Sequence, residues 1–181
     1  SERERAEEEA KKAKKEAKRL LDESTKANED SKRHADKLLE DSKRAAEDIK
    51  RKAEDLLRKK KDGDRARRLA EEARKIADKA VEDSERLARE AAKIDKDSND
   101  ESRRLAREAE EIADRALEAV DRGADARRAI EEVRRALKEA ADASRDLNRR
   151  AKEANERAAK ASEELNKRAE DALRRASEEI R

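Results

Sequence analysis

Apolar residues return along this chain with the period of an α-helix, and its leucines return every eighteen residues: Leu20, Leu38 and Leu56, then Leu69, Leu87 and Leu105, then Leu147 and Leu165. Eighteen residues make five turns at about 3.6 residues per turn, so each series keeps to one column of a straight helix. A heptad seam winds left-handed and an eleven-residue repeat right-handed, and this spacing asks for neither. The pattern predicts long, nearly untwisted helices.

Gly63 and Gly123, the only glycines in a chain without proline, divide the sequence into three pieces of similar length. Around the first, Lys59, Lys60 and Lys61 suit the negative end of a helix dipole, Gly63 supplies a left-handed residue after them, and Asp64 can cap the next helix. Gly123 and Asp125 repeat the arrangement. Two short loops between three equal helices predict an all-α, long, nearly untwisted antiparallel three-helix bundle. It forms a single domain over 1–181, with helices over about 2–61, 65–121 and 125–181. On a helical wheel each piece carries one apolar stripe roughly 140° wide. Leu20, Leu21, Ser24, Ala35, Leu38, Leu39, Ser42, Ala46, Ile49 and Leu56 lie on the first, Leu69, Ala73, Ile76, Ala80, Leu87, Ala91, Ile94, Leu105, Ala109, Ile112 and Leu117 on the second, and Val133, Ala136, Leu137, Ala140, Leu147, Ala154, Leu165, Ala172, Leu173 and Ile180 on the third. No second stripe is left over for a large docking surface.

The segment Asp95 to Asp100 is ambiguous. Its low helix propensity and the Ser98 to Glu101 spacing of a capping box allow an alternative of four helices, with the second third broken near 95–100. Against a break, Leu69, Leu87 and Leu105 keep phase across it, as do Ile76, Ile94 and Ile112. The continuous helix is the better reading.

Comparison of successive eighteen-residue copies shows where polar residues interrupt the apolar columns. Asn28 and Ser31 stand where Ala46 and Ile49 stand one copy later, and Ser98 and Asn99 where Ala80 and Val81 stood one copy earlier. Asn155 shares a column with Leu137 and Leu173, and Asn148 shares one with Ile130. Folding the chain antiparallel about its glycines sets residue i of the first helix level with about 125 − i of the second, and j of the second with about 245 − j of the third. Asn28, residue 97 and Asn148 then lie at one height. The six residues Asn28, Ser31, Ser98, Asn99, Asn148 and Asn155 are therefore expected to form an interior polar layer. A buried amide or hydroxyl left unpaired costs on the order of 1–3 kcal/mol, so such a layer penalises every register in which it faces leucine. His34, the only histidine, falls at the edge of the stripe and is expected to border this layer.

Composition agrees with helices and offers little chemistry. Charged residues are 56% of the chain, aromatic residues and cysteine are absent, and 52 basic residues nearly balance 50 acidic ones, for a formal charge of +2. Interleaved signs leave no sustained field for nucleic acid, and no aromatic platform exists for stacking bases. No cysteine is present as ligand or nucleophile, and His34 with Asp30 at the preceding turn is too little for a metal site. No run approaches the roughly eighteen apolar residues that span a bilayer, and no targeting signal is seen, so a soluble protein is expected. The acids distribute along solvent faces in pairs such as Glu71 with Lys75, Glu131 with Arg135 and Glu163 with Lys167. No catalytic, cofactor-binding or metal residues are predicted, and the chain is not expected to be an enzyme.

Idealised eighteen-residue repeats, two minimal glycine loops, aspartate caps, no aromatics and a segregated polar layer resemble de novo designed helical bundles with buried hydrogen-bond networks. The chain also looks like the cage portion of designed latch-type switches. It departs from them in an alanine-rich, leucine-poor core, with 14 Leu, 6 Ile and 3 Val. The resemblance implies a rigid structural scaffold or building block that needs no cofactor and no partner. Its alternative is an interaction module that forms a homo-oligomer or accepts an additional, designed helical partner, with neither nucleic acid nor membrane as partner.

Overall fold

Close approach of backbones through alanine organises this molecule. A computed structural model describes residues 1–58 and 63–180, and three helices account for nearly all of them: α1 (Glu2–Arg58), α2 (Asp64–Asp121) and α3 (Ala126–Ile180). Among the described residues there is no strand. α2 runs antiparallel to α1, since the separation between bonded partners falls from 78 residues at Ser24–Ser102 to 70 at Asn28–Ser98. α1 and α3 run parallel, their contacts at Ser24–Asn148, Ser31–Asn155 and Ser42–Asn166 each spanning 124 residues. The chain folds as an antiparallel three-helix bundle.

α2 is continuous through Asp95–Asp100, which overturns the four-helix alternative. Asp95 and Ser98 are buried there and Asn99 is half-buried, so these polar side chains face other helices instead of capping a new one. Other boundaries shift slightly. Gly63 accepts the Arg67 amide through its own carbonyl at 3.2 Å, which places Gly63 at the cap and Asp64 inside the first turn. The expected closure of α1 by Lys59, Lys60 and Lys61 lies outside the described residues.

The α2–α3 turn is a Schellman motif. The Ala124 amide reaches back to the Ala119 carbonyl at 2.9 Å and the Gly123 amide to Val120 at 3.1 Å, with Gly123 at φ 101°. Only glycine takes that conformation without strain. Asp125 then caps α3, its carboxylate accepting the Arg127 amide at 3.1 Å.

Contacts gather into two units: residues 1–30 with 94–152, and residues 31–93 with 153–181. In the first, Ala10, Ala13, Ala113, Ala116 and Ala129 pack around Val133, with Val120 and Leu137 against them. A neighbouring cluster joins Ala17, Ala109 and Ala140 to Leu105 and Leu137. In the second, Ile49, Ala77 and Ala169 pack with Ile76 and Leu173.

The buried apolar residues are nearly all alanine; Leu39, Ile49 and Val133 are the larger exceptions. The leucine columns do not fill the centre as expected. Leu20, Leu56, Leu69, Leu87, Leu105, Leu147 and Leu165 are half-buried, while Leu38 and Ile94 are 41% and 40% exposed. Interaxial distance is set by the side chains at the contact. Alanine on the facing line brings the axes too close for leucine, which lies along the flanks instead.

Candidate functional site

Each unit holds polar side chains between its helices, and they are the only buried chemistry the described residues offer. In the first unit, Asn28 uses both protons of its amide. Nδ2 donates to Asn99 Oδ1 at 2.8 Å and to Ser98 Oγ at 3.3 Å. One turn earlier on α1, Ser24 donates to Asn148 Oδ1 at 2.8 Å. A hydroxyl has one proton, so the 3.2 Å contact between Ser24 Oγ and Ser102 Oγ is a bond in which Ser102 donates. Ser24, Asn28, Ser98 and Ser102 are all buried.

The second unit has polar contacts of its own. Asn155 Nδ2 donates to Ser31 Oγ at 3.2 Å. Ser84 and Ser162, both fully buried, share a bond of 2.6 Å. Asn166 Nδ2 donates to the backbone carbonyl of Ser42 at 2.7 Å, while its Oδ1 is buried without a partner.

The six predicted layer residues therefore fall as follows. Asn28, Ser98 and Asn99 bond one another. Asn148 meets Ser24, a turn away from Asn28, and Asn155 meets Ser31. His34 is exposed. Ser84, Ser102, Ser162 and Asn166 escaped the sequence reading, and Ser24 and Ser42 were placed only on the apolar stripe. Their signal was present: Ser24 and Ser42, Ser84 and Ser102, Ser144 and Ser162, and Asn148 and Asn166 are each eighteen residues apart. A search for exceptions to the repeat passes over polar residues that obey it.

The titration shifts come from the surface. Arg134 bonds Glu9 at 3.0 Å and holds its carboxyl below the usual range. Lys43 does the same to Glu85, and bonds from Glu85 and Asp78 raise the ammonium groups of Lys43 and Lys50. Among the described residues, ion pairs that join α1 to α2 include Arg3–Asp121 and Lys14–Asp114 in the first unit, and Lys43–Glu85 and Lys50–Asp78 in the second. Among the described residues no group of three or more His, Cys, Asp or Glu is placed to hold a metal ion, and no helix is long and apolar enough to cross a membrane.

Compared as a whole, the chain matches no protein family, no curated protein and no solved structure.

Proposed function

We propose that this chain is a designed structural scaffold, a rigid helical building block without catalytic activity whose interior polar contacts fix the register of its helices. One observation carries the reading: polar side chains on all three helices bond across helix boundaries at a constant offset, 124 residues between α1 and α3 in both units. A slipped register would set these groups against alanine or leucine and leave them unpaired. The idealised repeat, the minimal turns and the absence of aromatic residues support the design origin.

Replacing Asn28, Ser31, Ser98, Asn99 and Asn155 together with the apolar residues of their own columns tests it. Thermal stability is expected to hold or rise while the amide NMR spectrum splits into several species. A single sharp spectrum would show that these residues do not set register.

The half-exposed flanks favour a second reading, an interaction module that self-associates or accepts a further helix. Leu38 and Ile94 are the large apolar side chains that solvent reaches most.

A further inference from the structure

The second unit has a groove whose floor is apolar and whose two edges carry opposite charge. On α2, Leu69, Ile76 and Leu87 are half-buried on the flank toward α3, and on α3 Leu165 and its alanine neighbours are half-buried on the flank toward α2. These positions are 7, 11 or 18 residues apart, so they form one continuous strip, the outer edge of the apolar stripe that each helix already shows in the sequence. The first row outside the strip on α2 contains Glu72, Lys79, Asp83 and Glu90, and the matching row on α3 contains Arg157, Glu164, Arg168 and Arg175, so the α2 edge is acidic on balance and the α3 edge basic. Apart from Asp83, all of these are exposed. The α1–α2 seam of this unit is bridged by Lys43–Glu85 and Lys50–Asp78. Among the described residues, Arg65–Glu179 bridges α2 and α3 at the end of the groove.

We infer that this groove is the contact between two copies of the chain, related by a two-fold axis parallel to the helices, so that α2 of each copy lies against α3 of the other. That axis sets the acidic row of one copy against the basic row of its partner twice over. A two-fold perpendicular to the helices would set like against like. Arg86 holds Asp83 and Glu90 from within α2, at 3.6 and 3.2 Å, and Arg157 faces Glu153 at 4.0 Å. Such exposed intrahelical pairs are weak and exchange readily for intermolecular ones. From Leu69 to Glu90 the groove runs about 30 Å, and two helices side by side present about 20 Å, an area on the order of 600 Å². A standard interface buries about 800 Å² per partner, so a reversible dimer is expected. A net charge of +2 does not oppose it. This deepens the interaction reading and leaves the scaffold reading independent of it.

Charge reversal on exposed positions tests the contact without disturbing the core. One variant carries Arg157→Glu, Arg168→Glu and Arg175→Glu; the other carries Glu72→Arg, Asp83→Arg and Glu90→Arg. Mass is measured by light scattering after size exclusion, with refractive-index detection because the chain has no aromatic residue. The wild type is expected to move from its 20.7 kDa chain mass toward twice that mass as concentration rises, and to move back in high salt. Each reversal alone is expected to weaken pairing on the order of a hundredfold, and an equimolar mixture of the two to form a heterodimer. Pairing that ignores the reversals, or a mixture that stays monomeric, overturns the groove as the contact. A wild type that stays monomeric at every concentration overturns the dimer; if it is still helical and unfolds cooperatively, the scaffold reading stands.

Discussion

The two units contain the same four polar columns and bond them differently. Ser24, Ser102, Ser144 and Asn148 in the first correspond, at eighteen residues' remove, to Ser42, Ser84, Ser162 and Asn166 in the second. In the first, Ser24 joins Ser102 to Asn148, and the neighbouring Asn28 engages Ser98 and Asn99. In the second, Ser84 and Ser162 bond only each other in a 2.6 Å pair, and Asn166 turns to a backbone carbonyl with its own oxygen unpartnered. A repeat fixes where polar groups stand along a helix. Which of them bond depends on neighbours outside the repeat, and the first unit alone has Asn28, Ser98 and Asn99 beside the shared columns. A connected cluster constrains register more than isolated pairs do, because losing one member strands several others.

The largest effect that would expose this difference comes from Asn28→Leu. Ser98 and Asn99 would lose their donor in a buried place, and unfolding in urea is expected to show a loss of about 1–3 kcal/mol. A neutral result would mean that the first unit's cluster is no tighter than the second unit's pairs.

Next in size is the Ser84 and Ser162 pair. Either Ser→Ala change alone is expected to cost about 1 kcal/mol, since the remaining hydroxyl can fall back only on a backbone carbonyl of its own helix. Both changes together should cost less than their sum, because no unpaired group is left. Additive costs in this double-mutant cycle would show that the two hydroxyls do not interact.

Asn166→Leu should have a smaller effect of the opposite sign. It removes a buried oxygen that has no partner, and the Ser42 carbonyl keeps its bond within α1, so the melting temperature should hold or rise by a few degrees. A clear loss would mean that Asn166 is as well satisfied as Asn148.

The smallest effect belongs to the first unit's Glu9–Arg134 pair. Bonding to Arg134 lowers the Glu9 pKa below its ordinary 4.5 in the folded state. The stability this provides is present above pH 4.5 and is lost as pH falls through the folded value. Glu9→Gln should lower the urea midpoint at pH 7 by no more than about 0.3 M and by less at pH 3. An equal change at both pH values would mean that packing, not charge, explains it.

Much of this fold was legible in the sequence because few signals competed. Two glycines in a periodic chain fixed the number of helices, and phase kept across Asp95–Asp100 overruled the local signs of a break. The register followed from turn positions to about a residue where α2 is one of the partners, whereas the bonded pairs of α1 and α3 lie 124 residues apart, one turn more than the 120 that the turn positions imply. The sequence did not show which part of each stripe sits at the centre. A wheel weights leucine heavily, yet the close approach that alanine permits puts alanine between the axes and leaves Leu38 and Ile94 at the surface. The polar contacts were half legible. Asn28, Ser98 and Asn99 break the repeat and stand out, whereas Ser84 and Ser162 conform to it. Hydrogen-bond choice for Asn148 and Asn166 depends on side-chain geometry that no periodicity records.

The turn between α2 and α3 closes both helix ends with its own bonds: Ala124 and Gly123 secure the last carbonyls of α2, and the Asp125 carboxylate secures the start of α3. Residues 121–125 are exposed, and a Cβ added at Gly123 would touch nothing within 4 Å. Because each cap is complete on its own side, foreign sequence placed between Ala124 and Asp125 would break no tertiary contact and leave neither helix end frayed. The same peptide bond is a natural place to display a loop.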